Sequence, residues 1–256
     1  MDTLNGKRGT VHVCKDAAEL GLQCARSFVD SVTETVGKTG QCTVALSGGH
    51  TPHLMYEHLL SSDFGKRAPW DKVHFFIGDE RCVAVDSPEN NFNNARDQFL
   101  NRLNIPASHL HPTYNQDKDP AASALSYEKT VKQFFGLKDG EFPRFDLIHL
   151  GMGPDGHCAS LFPESKALTE GKRIVTENFV EKLSSWRITL TFPTINHASN
   201  VMFMVQGEDK SEVLAEVLES DVVSYPAQHI VLEQGKLQWF IDRAAARDMC
   251  SAPSNR

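Results

Sequence analysis

The strongest constraint on this chain is a set of short, largely apolar runs, each separated from the next by a helical pattern. "CTVALS" (42–47), "VHFFIGDE" (73–80) and "FDLIHLGM" (145–152) are three of them. A strand without polar alternation buries both faces, which implies a mainly parallel sheet covered by helices on two sides. The segments between fit that role. Residues 16–36 place Ala17, Leu20, Cys24, Phe28 and Val32 near helical spacing, and Pro52 suits the first position of a helix over 52–60. Residues 93–103 and 120–135 also read as helices, and "TVHVCK" (10–15) as an early strand. Later strands, "RIVTENF", "WRITLTF" and "VMFMVQG", follow one another closely and suggest a smaller antiparallel subregion. A helix over 208–219, strands "HIVLE" and "LQWFI" and a terminal helix over 242–249 complete the pattern. No Pro/Gly/Ser linker divides it, so one α/β domain over 1–256 is expected.

Composition removes several function classes. Net charge is −7, with no long basic run, which argues against nucleic acid or an anionic membrane as partner. No stretch approaches eighteen apolar residues, "MDTLNGKRGT" lacks a signal-peptide core, and "SAPSNR" carries no lipidation or peroxisomal signal. A cytoplasmic protein is expected. The cysteines at 14, 24, 42, 82, 158 and 250 form no C-x-x-C and no zinc spacing, so they read as reduced thiols and no metal site is expected. Serine-hydrolase (Gly-x-Ser-x-Gly) and zinc-peptidase (His-Glu-x-x-His) motifs are absent. His50, His53 and His58 do not share a helical face at ligand spacing and read as surface.

Ligands of open α/β sheets bind at the carboxyl ends of strands, and three strands here end in chemically rich loops. Ser47-Gly48-Gly49-His50-Thr51-Pro52 opens a helix. Its glycines, hydroxyls and helix start suit an anion, though a capped turn has the same residues. It is not a Walker A loop: Gly37-Lys38-Thr39 resembles the tail of one, but position 32 is Val. Gly78-Asp79-Glu80-Arg81 places three charges at a strand end, where a solvated turn competes with a site in which Arg81 forks onto a phosphate and Asp79 orients a base or the substrate. "LIHLGMGPDGHCASLFP" (147–163) carries Gly151, Gly153 and Gly156 as Gly-x-Gly-x-x-Gly, with Glu177 about twenty residues on. That pattern fits a dinucleotide turn. It equally fits a tight turn that aims His157 at a substrate, with Asp155 beside it to hold the tautomer of a general base. Arg187 at a strand start and Lys210 near a helix start are weaker anion candidates, each with a solvated side chain as the plainer alternative.

"ALSGGHTP", "WDKVHFFIGDERCV", "NNFNNAR", "FDLIHLGMGPDGHCASLFP", "RITLTFPTIN" and "VMFMVQGEDK" together resemble the 6-phosphogluconolactonase family from about residue 10 to 245. One departure is Glu-Asn-Asn at 89–91, where a Ser-Asn pair is common; it leaves open whether Asn90 or Asn91 takes the usual role. The resemblance implies a Rossmann-like α/β fold shared with glucosamine-6-phosphate deaminase. It implies hydrolysis of 6-phospho-D-glucono-1,5-lactone to 6-phospho-D-gluconate in the oxidative pentose phosphate pathway, without a cofactor. The glycine-rich loop would then aim His157 and bind no dinucleotide. Ser47, Gly48, Gly49, Arg81, Arg187 and Lys210 become expected anion ligands, with Thr51, Asn91 and Gly153 in the same substrate-binding set.

The expected chemistry follows from the lactone. His157 takes a proton from water as it attacks C1 and returns one to the ring oxygen, while Asp155 or Asp79 orients the imidazole or the water. Two rivals share the scaffold. A deaminase usually has tyrosine after Asp-Glu, where this chain has Arg81. A sugar-phosphate sensor would carry a DNA-binding helix pair, for which there is no room before residue 10. The expected partner is a small phosphorylated sugar lactone, and a monomer is expected over an oligomer.

Overall fold

Most of the apolar runs become strands of one sheet in the computed structural model, which describes residues 1–113 and 119–250; "SAPSNR" lies outside them. The chain runs β1 (Asp2–Gly6), β2 (Gly9–Cys14), α1 (Ala17–Thr39), β3 (Cys42–Leu46), α2 (Thr51–Leu59), short α3 (Ser62–Gly65), β4 (Val73–Ile77), β5 (Asp79–Arg81) and α4 (Asn91–Gln98). It continues through β6 (Leu110–His111), α5 (Pro120–Phe135), β7 (Leu147–Leu150), β8 (Val175–Val180), β9 (Ser185–Leu190), α6 (Phe192–Asn196), β10 (Asn200–Val205), α7 (Ser211–Glu219) and β11 (Lys236–Asp242).

The main sheet has eight strands in the order β1-β2-β11-β10-β7-β3-β4-β6. Apart from the β1/β2 hairpin, its neighbours are parallel. A second sheet, β5-β9-β8, is antiparallel, but "VMFMVQG", expected with it, forms β10 of the main sheet, parallel to β7 and β11. The expected α/β architecture is therefore present. Alternate residues of the main strands feed two separate cores: Ala45, Ile148, Phe203 and Trp239 on one face, and Val44, Leu46, Leu147, Met202 and Phe240 on the other. Trp239 and Phe203 stack with ring centroids 3.8 Å apart, joining β11 to β10 in the first core.

From β3 the chain winds outward to β4 and β6, then returns to place β7 on the other side of β3 and winds outward again to β10 and β11. The strand order reverses between β3 and β7. Crossovers diverge there and leave a crevice at the strands' carboxyl ends, the usual ligand site of such sheets. The loops after β3 and β7 are the 47–51 and 151–157 segments.

Four further expectations are corrected. "VHFFIGDE" is not one strand: Gly78 donates to the carbonyl of Leu46 at 2.8 Å and accepts from the N–H of Leu190 at 2.9 Å, so the chain leaves the main sheet there and enters the second. The 93–103 helix begins at Asn91 and ends at Gln98, because the Asn90 side chain accepts from the N–H of Asn93 and caps the start. "HIVLE" is not a strand; the N–H groups of Val231 and Glu233 go to Asn196 instead of a neighbouring ladder. Residues 243–248 form turns, not a helix, anchored by Asp242, whose side chain accepts from the N–H groups of Gly207 and Ala245. The six cysteines are free, with Cys14, Cys24, Cys42 and Cys158 buried and Cys250 exposed.

Candidate active site

Ser47 closes β3 and is buried, and its Oγ lies 2.9 Å from Nδ1 of His149 on the adjacent strand β7. His149 is wholly buried, and burial lowers its pKa to about 4, so the imidazole is neutral near pH 7. Its Nε2 has no hydrogen-bond partner. A proton on Nε2 would be a buried N–H without an acceptor, so the better-satisfied tautomer carries its proton on Nδ1 and donates to Ser47. The Ser47 hydroxyl proton is then free to point into the loop. His149 was not among the residues the sequence singled out. Its one signal was a polar residue in the otherwise apolar run "LIHL".

Gly48 must lack a side chain, because a Cβ there would lie 1.8 Å from Oδ1 of Asn91. Asn91 is held by its Nδ2, which donates to the carbonyl of Asp79 at 2.8 Å, and by its N–H, which donates to Glu80 at 2.7 Å. Its Oδ1 is buried without a partner beside the glycine loop. Gly48→Ala forces Asn91 aside. Overpacking of this kind costs about 1–3 kcal/mol, roughly 2–4 °C in Tm per kcal/mol at this size. A thermal melt checks this; an unchanged Tm would mean that the loop yields freely. Thr51 begins α2 with no side-chain capping bond, and Gly49 has φ 94°, a conformation that favours glycine.

A solvated turn was one of the two readings of the charges after β4, and the structure disagrees with it. Asp79 is 9% exposed and Glu80 1%. Glu80 replaces water with three backbone donors, the N–H groups of Arg81, Asn91 and Phe92 at 2.7–2.9 Å, and so ties β5 to the start of α4. Burial outweighs those bonds and raises its pKa to about 7. Asp79 accepts from the Ser160 hydroxyl at 2.7 Å; its carboxylate is turned toward Ser160, and no bond joins it to the His157 imidazole.

Arg81 and Arg187 lie directly opposite each other in the β5/β9 register. Arg81 donates to the carbonyl of Glu89 at 2.7 Å, while Nε of Arg187 has no partner. Burial, and then the charge of Arg81, lower the Arg187 pKa. Like charges at paired positions destabilise a sheet, and an anion between them removes the penalty.

The 151–157 loop is a compact turn. The N–H of Gly153 donates to the carbonyl of His157 at 2.9 Å, and Gly156 takes φ 70°. At Gly153 a Cβ would lie 2.1 Å from the His157 ring, so this glycine makes room for the imidazole. Nδ1 of His157 lies 2.5 Å from Oδ1 of Asp155, leaving Nε2 as the nitrogen that can face a substrate. No helix begins at His157, so helix capping does not explain it. A tight turn follows, with Leu161 N–H donating to the carbonyl of Cys158 and Ala159 at φ 48°. It folds Phe162 back to stack on the imidazole at 3.9 Å. Asp155 is partly buried, which acts to raise its pKa; hydrogen bonds from His157 and Lys182 and the adjacent imidazole charge outweigh that and hold the carboxyl below the usual range. Lys182, on the β8/β9 turn, also escaped sequence reasoning, for nothing near it in the chain signals a partner at 155.

Lys210 follows β10 in a short 3-10 turn and pairs with Asp209 at 2.8 Å. The structure thus brings Ser47 to His149, Gly48 to Asn91, Asn91 to Asp79, Arg81 to Arg187, and Asp155 to His157. It records no contact from Lys210 or Thr51 to those groups. Among the described residues, no group of three or more His, Cys, Asp or Glu side chains is placed to hold a metal ion.

The family model described as glucosamine-6-phosphate isomerases/6-phosphogluconolactonase matches residues 15–239. A 6-phosphogluconolactonase of Synechocystis sp. is 42% identical over 220 residues, covering 85% of this chain and 89% of that protein. One from Nostoc sp. is 40% identical over 242 residues, covering 94% and 98%. The solved 6-phosphogluconolactonase from Trypanosoma cruzi superposes with a TM-score of 0.85 at 29% identity, covering 98% of this chain and all of that one. A monomeric glucosamine-6-phosphate deaminase, at 20% identity and TM-score 0.76, shares the fold.

Proposed function

The chain belongs to the glucosamine-6-phosphate isomerase/6-phosphogluconolactonase family, and from that premise we propose that it hydrolyses 6-phospho-D-glucono-1,5-lactone to 6-phospho-D-gluconate with His157 as general base. The observation that carries this reading is the Asp155–His157 contact at 2.5 Å. It fixes the tautomer and leaves Nε2 free to accept a proton at the crevice between β3 and β7. Nε2 takes a proton from water as the oxygen attacks C1. The tetrahedral oxyanion is met by backbone N–H groups of the Gly48–Gly49 turn, with Ser47 donating its hydroxyl proton beside them. The imidazolium then gives its proton to the departing ring oxygen, which opens the lactone and restores the base. Asp155 stays ionised and stabilises the imidazolium.

The paired guanidiniums of Arg81 and Arg187 take the phosphate, with Lys210 adding positive charge from the end of β10. Binding energy gained at the phosphate positions C1, the reacting centre at the far end of the molecule. Asn91, Thr51 and Gly153 shape the crevice between the two ends. Asp79 supports the site indirectly through its bonds with Ser160 and Asn91.

Purified protein is expected to accelerate the loss of freshly prepared lactone above its spontaneous hydrolysis, followed by proton release at constant pH. Glucosamine 6-phosphate is expected to yield no ammonia. Ammonia release at a comparable rate assigns the chain to the deaminase branch of its family instead.

A further inference from the structure

Lys182 sits on the Glu181–Leu183 turn between β8 and β9, where Ser184 at φ 45° reverses the chain. Its side chain is half exposed, and a surface ion pair at such a position contributes little to stability. A solvated lysine would explain it if its contacts were incidental. Both contacts, however, are shared with His157. Nζ pairs with Oδ2 of Asp155, whose Oδ1 holds the imidazole. Nζ also lies 4.9 Å from the centroid of the Phe162 ring, which stacks on that imidazole. One carboxylate and one aromatic ring are each divided between a fixed cation and a titrating one.

We propose that Lys182 is a positioning residue for the Asp155–His157 pair: by occupying one oxygen of Asp155 it orients the other toward the imidazole and sets the pH range over which His157 is free to accept a proton. This rests on the assignment of His157 as base. A fixed ammonium one carboxylate away opposes protonation of the imidazole, both by direct repulsion and by drawing on the charge of Asp155. Without it, Asp155 would serve the imidazolium alone, and the base would be consumed by protons at a higher pH.

Other charged groups do not duplicate this. Glu164, Lys166 and Glu181 line the open cleft of about 1040 Å³ that Asp155, Phe162 and Lys182 border, and no contact joins them to Asp155 or the imidazole. Asp79, from β5, is engaged by Ser160. Glu177 on β8 pairs with Arg173.

The test compares Lys182→Met and Lys182→Arg with the wild type in two measurements. One is kcat/KM against pH with spontaneous hydrolysis subtracted. The other is an NMR titration of the His157 imidazole, assigned from the signal lost in His157→Asn. In Lys182→Met the acid limb is expected to move to higher pH by on the order of 0.5–1 unit, a three- to tenfold loss on the acid side that shrinks as pH rises. The imidazole titration should move the same way, Lys182→Arg should restore both, and the melting temperature should hold. An unmoved imidazole titration overturns the proposal. A pH-independent loss carried in KM also overturns it, by making Lys182 a direct substrate ligand. If the imidazole titration moves while the kinetic limb stays, Lys182 does govern the pair and His157 is not the base, so the two failures are told apart.

Discussion

His157→Asn is expected to lower kcat by about 10²–10⁴-fold, the contribution of a positioned general base. Asparagine keeps a donor that can reach Asp155 but has no nitrogen that accepts a proton at neutral pH. The wild-type rate should fall at low pH as the imidazole is protonated. The variant should lose that limb. The melting temperature should change little, because the side chain is 25% exposed and its one strong bond is to a neighbour two residues away. Single-turnover kinetics on fresh lactone, with the spontaneous rate subtracted at every pH, measure the effect. Near wild-type turnover would move the base elsewhere, and Asp79 is the next carboxylate to test.

Arg81→Ala is expected to lower kcat/KM on the phosphorylated lactone by about 10- to 150-fold, equivalent to roughly 1.5–3 kcal/mol for a charge-assisted contact. On glucono-1,5-lactone without the phosphate the loss should be much smaller. The register with Arg187 adds a thermodynamic signature. Removing one of two facing guanidiniums relieves repulsion, so the ligand-free protein should melt no earlier than the wild type. The rise in Tm with added 6-phosphogluconate, however, should shrink, because the variant binds it less tightly. Equal kinetic losses on both substrates would place Arg81 at the reacting carbon or in the scaffold instead of at the phosphate.

The parts of this fold legible in the sequence are those whose residues answer to one neighbour at a time. β3, β7 and β10 are apolar on both faces because each lies inside the main sheet, and that is written in the runs themselves. The same logic failed at 78–81. Glu80 looked like a solvated charge because its three backbone donors come from residue 81 and from residues 91 and 92, and only the folded chain brings the latter two beside it. "HIVLE" has the apolar content of a strand, but its N–H groups find Asn196 before they find a sheet edge. β1, the outer strand of the N-terminal hairpin, escaped because "DTLNG" is mostly exposed and has no hydrophobic pattern. At the site, Asp155 and His157 were readable because they share a turn. Ser47–His149 and Asp155–Lys182 were not, since those partners are 102 and 27 residues apart.

Gly78 gives the two sheets a common joint. Its N–H belongs to the ladder of Leu46 and its carbonyl to that of Leu190. On the proposed assignment, the arginine pair rides on the second sheet and His157 on the loop after β7, which Ser160 and Lys182 also tie to the second sheet, so the span from reacting carbon to phosphate is set by both sheets together. The enzyme would then measure its substrate as a caliper does, with one jaw at the loop after β7 and the other at the β5/β9 pair. A lactone shorter or longer by one carbon could fill either jaw, but it could not close both, and length selectivity would arise without any side chain dedicated to it.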